Sequence, residues 1–208
     1  MSHYYEEKPV TPSERREIEA RFLGINFRFA TDTDVFSKRA VDFGTRLMIE
    51  SAQRILTEEG FRGGRILDLG CGYGVIGIVM KRIFPSSDVT LADINSRALE
   101  LSRENAAANN AAFVTILSSD AWNSITGTFD LIMTNPPVRA GKQTVFAFYD
   151  GAFEHLAPGG SIFVVLQKKQ GAPSTEKKLM ELFGNCEIVD KDSGYWILRS
   201  IKRSDSNS

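Results

Sequence analysis

The chain has 208 residues, 42% hydrophobic and 25% charged, enough to fold and bury one α/β core. Its formal net charge of −1 gives no global pull toward nucleic acid, so any such contact must rest on a local basic patch. Cys71 and Cys186 fit neither a metal-ligand spacing nor a disulfide framework, no apolar run is long enough to span a bilayer and no signal peptide is visible, so the expectation is a reduced, cytoplasmic protein with no metal.

Residues 1–16 are polar and are expected to form a flexible arm, in which His3-Tyr4-Tyr5 stands out. Alternating apolar residues from Glu17 to Ala30 predict a β-hairpin turning at Gly24-Ile25-Asn26. A polar loop holding Val35-Phe36 follows. Asp42 to Glu58 has helical spacing and ends at Gly60. Strands and helices then alternate. Strands are expected at 65–69, 88–92, 112–117, 129–133 and 161–166, and helices at 74–84, 96–108, 142–156 and 175–183. Ala157-Pro-Gly-Gly160 is expected to stop the helix before the strand at 161. Two last strands, 186–190 and 195–201, lack a helix between them and should form an antiparallel hairpin at one edge. Residues 202–208 read as a disordered tail. The pattern predicts one α/β domain over 17–201. Its core is a doubly wound, Rossmann-like, seven-stranded and mostly parallel sheet, with an N-terminal hairpin and helix before it.

In an open α/β sheet, ligands bind beyond the carboxyl ends of the strands, near the point where strand order reverses. Polar residues recur there: Asp68 with its glycine turn, Asp93, Asp120 and Asn135. A buried core explains apolar strands, not this recurrence. Gly72-Tyr-Gly-Val-Ile-Gly77 matches G-x-G-x-x-G, and Asp93 lies about as far on as a ribose-binding acid should. Taken alone, that supports a dinucleotide dehydrogenase. Asp68 counts against it, because a carboxylate there meets a pyrophosphate with the wrong sign and suits an ammonium or sulfonium instead. Asp93 can accept both hydroxyls of a ribose, Ile94 can pack on an adenine face, and Asp120 can accept from an adenine amino group. Cys71 reads as a small turn residue. Asn135-Pro136-Pro137-Val138 is the most specific motif. Two prolines make a stiff corner with outward carbonyls. Asn135 Oδ1 and the Pro136 carbonyl then form a pair of acceptors suited to a planar amino group.

These residues resemble the class I S-adenosylmethionine (SAM)-dependent methyltransferases. Asp68-Leu-Gly-Cys-Gly-Tyr-Gly74 is similar to their cofactor glycine motif, Asp93 to their ribose acid, Ser119-Asp120-Ala121 to their adenine-binding turn and Asn135-Pro-Pro-Val to their amino-methylating signature. More narrowly, Phe36-Ser37, Val41-Asp-Phe-Gly44, Asn135 to Gly141 and Val165 to Ser174 resemble the ribosomal RNA small-subunit guanine-N2 methyltransferases and their stand-alone relatives. Some members of that family carry a degenerate extra N-terminal domain, which is not expected here.

The resemblance implies SAM as cofactor, S-adenosylhomocysteine as product and ribosomal RNA or a ribosomal subunit as partner. It implies cofactor contacts from Asp68, Gly70, Cys71, Gly72, Gly74, Asp93, Ile94, Asp120, Ala121 and Asn135, and catalytic roles for Asn135, Pro136 and Pro137. Substrate contacts are expected from Phe36, Val138, Arg139, Lys168 and Lys169. Val138 stands where the wider pattern has an aromatic residue that stacks on the base, and Phe36, Phe146, Phe148 or Tyr149 are candidates to supply a ring. A protein glutamine amide is the alternative acceptor for the same chemistry. A non-catalytic RNA-binding module with this fold is the alternative outside enzymology.

Overall fold

The computed structural model describes residues 12–33, 35, 39–111 and 113–204. The expectations for His3-Tyr4-Tyr5, for Phe36 and for the end of the tail lie outside the described residues.

The chain opens with a hairpin of β1 (Arg16–Phe22) and β2 (Ile25–Thr31). Its turn falls at Leu23-Gly24, earlier than the sequence suggests, with φ of 49° and 84° at the two positions. A two-residue turn with both central φ angles positive matches the twist of the flanking strands. The resulting register pairs Phe22 with Ile25 and sends Ile18, Phe22, Phe27 and Phe29 to the buried face. The free edge of β2 is covered by α3 (Ser96–Ala108). Asn105 exchanges hydrogen bonds with the backbone of Ala30 (2.7 and 2.9 Å), and Asn109, just past the helix, does the same with Arg28 (3.0 and 2.7 Å). Two amides spaced one helical turn apart thus stand in for a neighbouring strand. The end of the expected arm is held too: Ser13 Oγ and the Glu14 N–H both donate to Asp32, at 2.6 Å each.

The main sheet has seven strands in the order β5-β4-β3-β6-β7-β9-β8. These are β3 (Arg65–Leu69), β4 (Asp88–Asp93), β5 (Val114–Ser118), β6 (Phe129–Thr134), β7 (Leu156–Gln167), β8 (Glu187–Asp192) and β9 (Tyr195–Ile201). The pairings from β5 through to β7 are parallel, and β9 is antiparallel to both β7 and β8. The Rossmann-like sheet with its antiparallel C-terminal hairpin is therefore observed as expected. One core packs α1 (Phe43–Glu58), α2 (Val75–Ile83), α3 and the hairpin on one face. A second packs α4 (Lys142–His155) and α5 (Ala172–Phe183) on the other.

Two boundaries differ from the sequence reading for physical reasons. Strand β7 begins at Leu156, so Ala157-Pro-Gly-Gly160 is an irregularity within a strand and not a loop. Leu156 pairs with Phe129, the register then slips, and Leu131 pairs with Ser161. Gly160 is needed there, since a Cβ would lie 2.9 to 3.1 Å from three backbone carbonyl oxygens. Helix α5 begins at Ala172, three residues before Thr175, because Pro173 tolerates the first turn of a helix.

Strand order reverses at β3, which has β4 on one side and β6 on the other. The carboxyl ends of these strands open the crevice in which the sequence motifs meet.

Candidate active site

The cofactor side is built from turns that grip one another. At the end of β3 the N–H groups of Gly70 and Cys71 both donate to the Ala92 carbonyl (2.8 and 3.0 Å). The Gly72 N–H donates to Asp93 Oδ2 at 2.8 Å, and the Asn95 N–H to Asp93 Oδ1 at 2.9 Å. Asp93 therefore ties the glycine turn to the start of α3. The Ile94 N–H also donates to this carboxylate, which has four lone pairs and so keeps acceptor capacity for a ligand. Gly74 caps α2 at φ 91°, where a Cβ would also sit 2.9 Å from Ile78 and Leu91. Only glycine meets both demands.

Asp68 is fully buried beneath this turn. Its Oδ2 accepts the Gly77 N–H at 2.9 Å, so the carboxylate anchors the N-terminus of α2. Among the described residues its Oδ1 has no hydrogen-bond partner. Burial pushes the carboxyl up to about 7, against the pull of the Gly77 N–H, and the charge of Asp93 adds to the rise. Burial also pushes the Cys71 thiol up, helped by the charges of Asp93 and Asp68. A buried, protonated thiol fits the small-turn-residue reading of Cys71.

The cleft is narrow. Leu69, Gly70, Ala92, Asp93 and Ile94 form one wall, Ser119 and Ala121 the end, and Asn135, Pro137 and Phe148 the other wall. The predicted residues Gly70, Asp93, Ile94, Ala121 and Asn135 thus come together. Asp120 is in the same turn as Ser119 and Ala121 but is exposed, and it is not among the lining residues. Ser119 shapes that turn: its hydroxyl donates to the Ala121 carbonyl (2.8 Å) and accepts the Ser124 N–H (3.1 Å).

Asn135 follows β6 directly. Thr134 Oγ1, buried, donates to the Leu69 carbonyl at 2.7 Å and locks the two strand ends side by side. The prolines then stop the ladder, and the Pro136 carbonyl accepts the Val138 N–H at 2.8 Å, which uses one of its two lone pairs. The half-buried Asn135 side chain points its Nδ2 away from solvent, donating to Thr45 Oγ1 at 2.9 Å and to Asp42 Oδ2 at 3.4 Å. Among the described residues nothing donates to Asn135 Oδ1.

The sequence model of the methyltransferase small domain family matches residues 26–199. The chain belongs to that family. It is 44% identical over 202 residues to YbxB of Bacillus subtilis (strain 168), an uncharacterised protein, across 96% of this chain and 98% of that one. It is 35% identical over 173 residues to ribosomal RNA small subunit methyltransferase C of Pseudomonas entomophila (strain L48), across 81% of this chain and 49% of that one. Among solved structures it resembles the T. thermophilus 16S rRNA N2 G1207 methyltransferase (RsmC) in complex with AdoMet and guanosine. That likeness has a TM-score of 0.83 at 32% identity and covers 94% of this chain and 52% of that one. The chain spans nearly the full length of YbxB and about half the length of the curated ribosomal RNA methyltransferases it matches.

This methyltransferase small domain is thus a class I, SAM-dependent enzyme, as the motifs implied. Its residues fit the cofactor. Asp93 offers a rigid carboxylate acceptor for a diol, and Leu69, Ala92, Ile94 and Phe148 offer apolar surface for a planar base, whereas Asp68, fully buried beneath the glycine turn, is not among the lining residues.

Sequence reasoning missed the residues that surround Asn135. Asp42 and Thr45 are on the first turn of α1, and the Tyr195 hydroxyl, at the start of β9, donates to Asp42 Oδ1 at 3.0 Å. Of the rings proposed to replace an aromatic residue at Val138, Tyr149 is fully buried and shares a hydrogen bond with Thr175, so it cannot meet a base. Phe148 lines the cleft and is 2% exposed. Phe146 is half-buried under the ammonium groups of Lys142 and Lys178. The first turn of α1 carries a further ring, Phe43, which is 41% exposed and packs on Tyr195 with ring centroids 5.9 Å apart.

Arg139, Lys168 and Lys169 are exposed and have no acidic partner among the described residues. The two lysines sit in a short turn just past β7, at the carboxyl edge of the sheet. Lys177 and Lys178 instead pair with Glu181 and Asp150, as expected of an ordinary helix face.

Proposed function

We propose that this methyltransferase moves the methyl group of SAM to an exocyclic amine of RNA, most specifically N2 of a guanine in ribosomal RNA, and does so in the cytoplasm. The observation that carries the reading is the Asn135 amide, held by Thr45 with no donor to its Oδ1 among the described residues, at a cleft that also presents Asp93, Ile94 and Ala121. The family relatives named for ribosomal RNA small-subunit methylation, and the neighbour solved with AdoMet and guanosine, support it.

When bound, SAM supplies an electrophilic methyl group on sulfur. The protein's part is to hold and orient. Asp93 takes the ribose hydroxyls on oxygens already fixed by Gly72 and Asn95. Asn135 Oδ1 and the remaining lone pair of the Pro136 carbonyl accept the two N–H bonds of the amine. A guanine amine is a weak nucleophile because its lone pair is delocalised into the ring. Holding both N–H bonds aims that lone pair, and such orientation carries much of the rate. The same acceptors stabilise the positive charge that grows on nitrogen as the N–C bond forms and the S–C bond breaks. The proton then leaves to water. Arg139, Lys168 and Lys169 contact phosphates and place the strand without reading it. A base within a duplex would have to be flipped out, so an exposed or single-stranded guanine is the favoured target.

The test is transfer from labelled SAM with purified ribosomal subunits, free ribosomal RNA and protein release factors supplied separately. Nucleoside mass spectrometry should find N2-methylguanosine in RNA. Label confined to a protein glutamine would overturn the RNA assignment, and SAM binding without transfer to either would favour the non-catalytic module.

A further inference from the structure

An asparagine side chain is nearly symmetric in shape. Turned over, Asn135 would fit the same space and present an NH2 group to the substrate, donor facing donor, and methyl transfer to an amine would lose its acceptor. Something must therefore set which end of the amide faces the cleft. Thr45 Oγ1, at 2.9 Å, does not do so, since a hydroxyl accepts from Nδ2 in one orientation and donates to Oδ1 in the other. Asp42 does. An ionised carboxylate only accepts, so it tolerates the amide's NH2 and repels its carbonyl. At 3.4 Å the contact adds little strength, and its effect is to choose the polarity.

The surroundings hold that carboxylate in place. The Thr45 N–H donates to Asp42 Oδ2 at 2.9 Å, the N-cap bond of α1, and the Tyr195 hydroxyl donates to Oδ1 at 3.0 Å. Gly44 lets the helix come this close, because a Cβ there would lie 2.3 Å from the Tyr195 ring and 2.8 Å from Val165. Each residue of Asp42-Phe-Gly-Thr45 except Phe43 thus serves the same arrangement. We infer that Asp42, braced by Tyr195 and Thr45, is the positioning residue that orients the Asn135 amide so that Oδ1 faces the incoming amine. The inference rests on the proposed amine-methylating role of Asn135 and extends it to the first turn of α1.

Asp42→Asn in the full chain tests it. Asparagine caps a helix as well as aspartate does, so the fold is kept. It also carries an NH2 group of its own and no longer forbids the flipped amide. Single-turnover methyl transfer to the RNA that the wild type modifies should slow at least tenfold, with the Kd for SAM within twofold and the melting temperature little changed. Tyr195→Phe should slow transfer less. Asp42→Asn turning over at the wild-type rate on an RNA that the wild type methylates would overturn the role. Should the wild type methylate no RNA, the Asn135 side-chain amide, followed by nitrogen-15 NMR, decides without any substrate. Its protons should exchange with water at least tenfold faster in Asp42→Asn, and equal exchange would overturn the positioning role whatever the acceptor proves to be.

Discussion

The two walls of the cleft are made in different ways. The cofactor wall is local: Asp68, Gly72, Gly77, Asp93 and Asn95 lie within one strand–helix–strand unit, and backbone N–H groups fix its carboxylates. The wall that the proposed function assigns to the substrate is assembled from afar. Asn135 meets Asp42 and Thr45 across 93 and 90 residues of sequence, and Asp42 meets Tyr195 across 153. Its contacts are between side chains, which can turn over or swing away. The lesson is a division of risk. The cofactor wall fails mainly through loss of backbone geometry, and the substrate wall through a single wrong rotamer.

Asn135→Ala should separate the two walls most sharply. Deleting one preorganised group that stabilises developing charge typically slows catalysis by roughly 10²–10³-fold. The methyl-transfer rate should fall by about that much while calorimetry finds the Kd for SAM changed less than threefold. Retained turnover would remove Asn135 from the mechanism. Asp93→Asn is the complement. It keeps the size but loses one acceptor and the charge, and a hydrogen bond to a charged group is worth about 1.5–3 kcal/mol. The Kd for SAM should rise roughly 10–100-fold, with the rate at saturating SAM little changed. A fall in that rate as large as for Asn135→Ala would mean that the walls are not separable.

This division also explains what was legible in the sequence. The alternation of strands and helices, the glycine turn and Asp93 are local patterns, and the order of the elements follows from them. Asn135 was legible because two prolines directly after a buried strand are unusual. The start of β7 was not, since Pro158-Gly159-Gly160 carries the signature of a loop, and distant partners make it strand: Phe129 pairs with Leu156, and the backbone of Lys202 bonds to Gly159 and Gly160. The sequence suggests a later hairpin turn, because Leu23, a residue with no turn preference, adopts φ 49° in a register set by the buried phenylalanines. Asp42 reads in the sequence as the first residue of the helix, and the structure makes it the N-cap. Its second task depends on Tyr195, and no window along the chain contains both.

Asp68 offers a smaller test, confined to the cofactor wall. Its folded-state value of about 7 lies above the 3.8 of a free side chain, so the folded protein holds a proton that the unfolded chain releases. Stability should then fall as pH rises from about 4 to about 7, by up to about 1.4 kcal/mol per pH unit for one proton, and level off above that. Urea unfolding across this range should show the slope. Asp68→Asn should flatten it, leaving the share of Asp93, whose carboxyl burial also raises. An Asp68→Asn curve parallel to wild type would place the titrating group elsewhere.

The smallest effect belongs to the substrate wall's outer rim. Lys168 and Lys169 are exposed, so the phosphate contacts proposed for them would act through charge and counterion release, and not through a fixed bond. Each contact to single-stranded RNA adds about 0.7 to the slope of log affinity against log salt. The Lys168→Ala, Lys169→Ala double variant should therefore lower that slope by about 1.4 and raise the KM for RNA only a few-fold near 0.1 M salt, where screening already weakens exposed charges. The rate at saturating RNA should hold, because neither lysine touches the amine. A drop in that rate with an unchanged salt slope would move these lysines from the rim into the site, and would contradict the separation between placing the strand and orienting its amine.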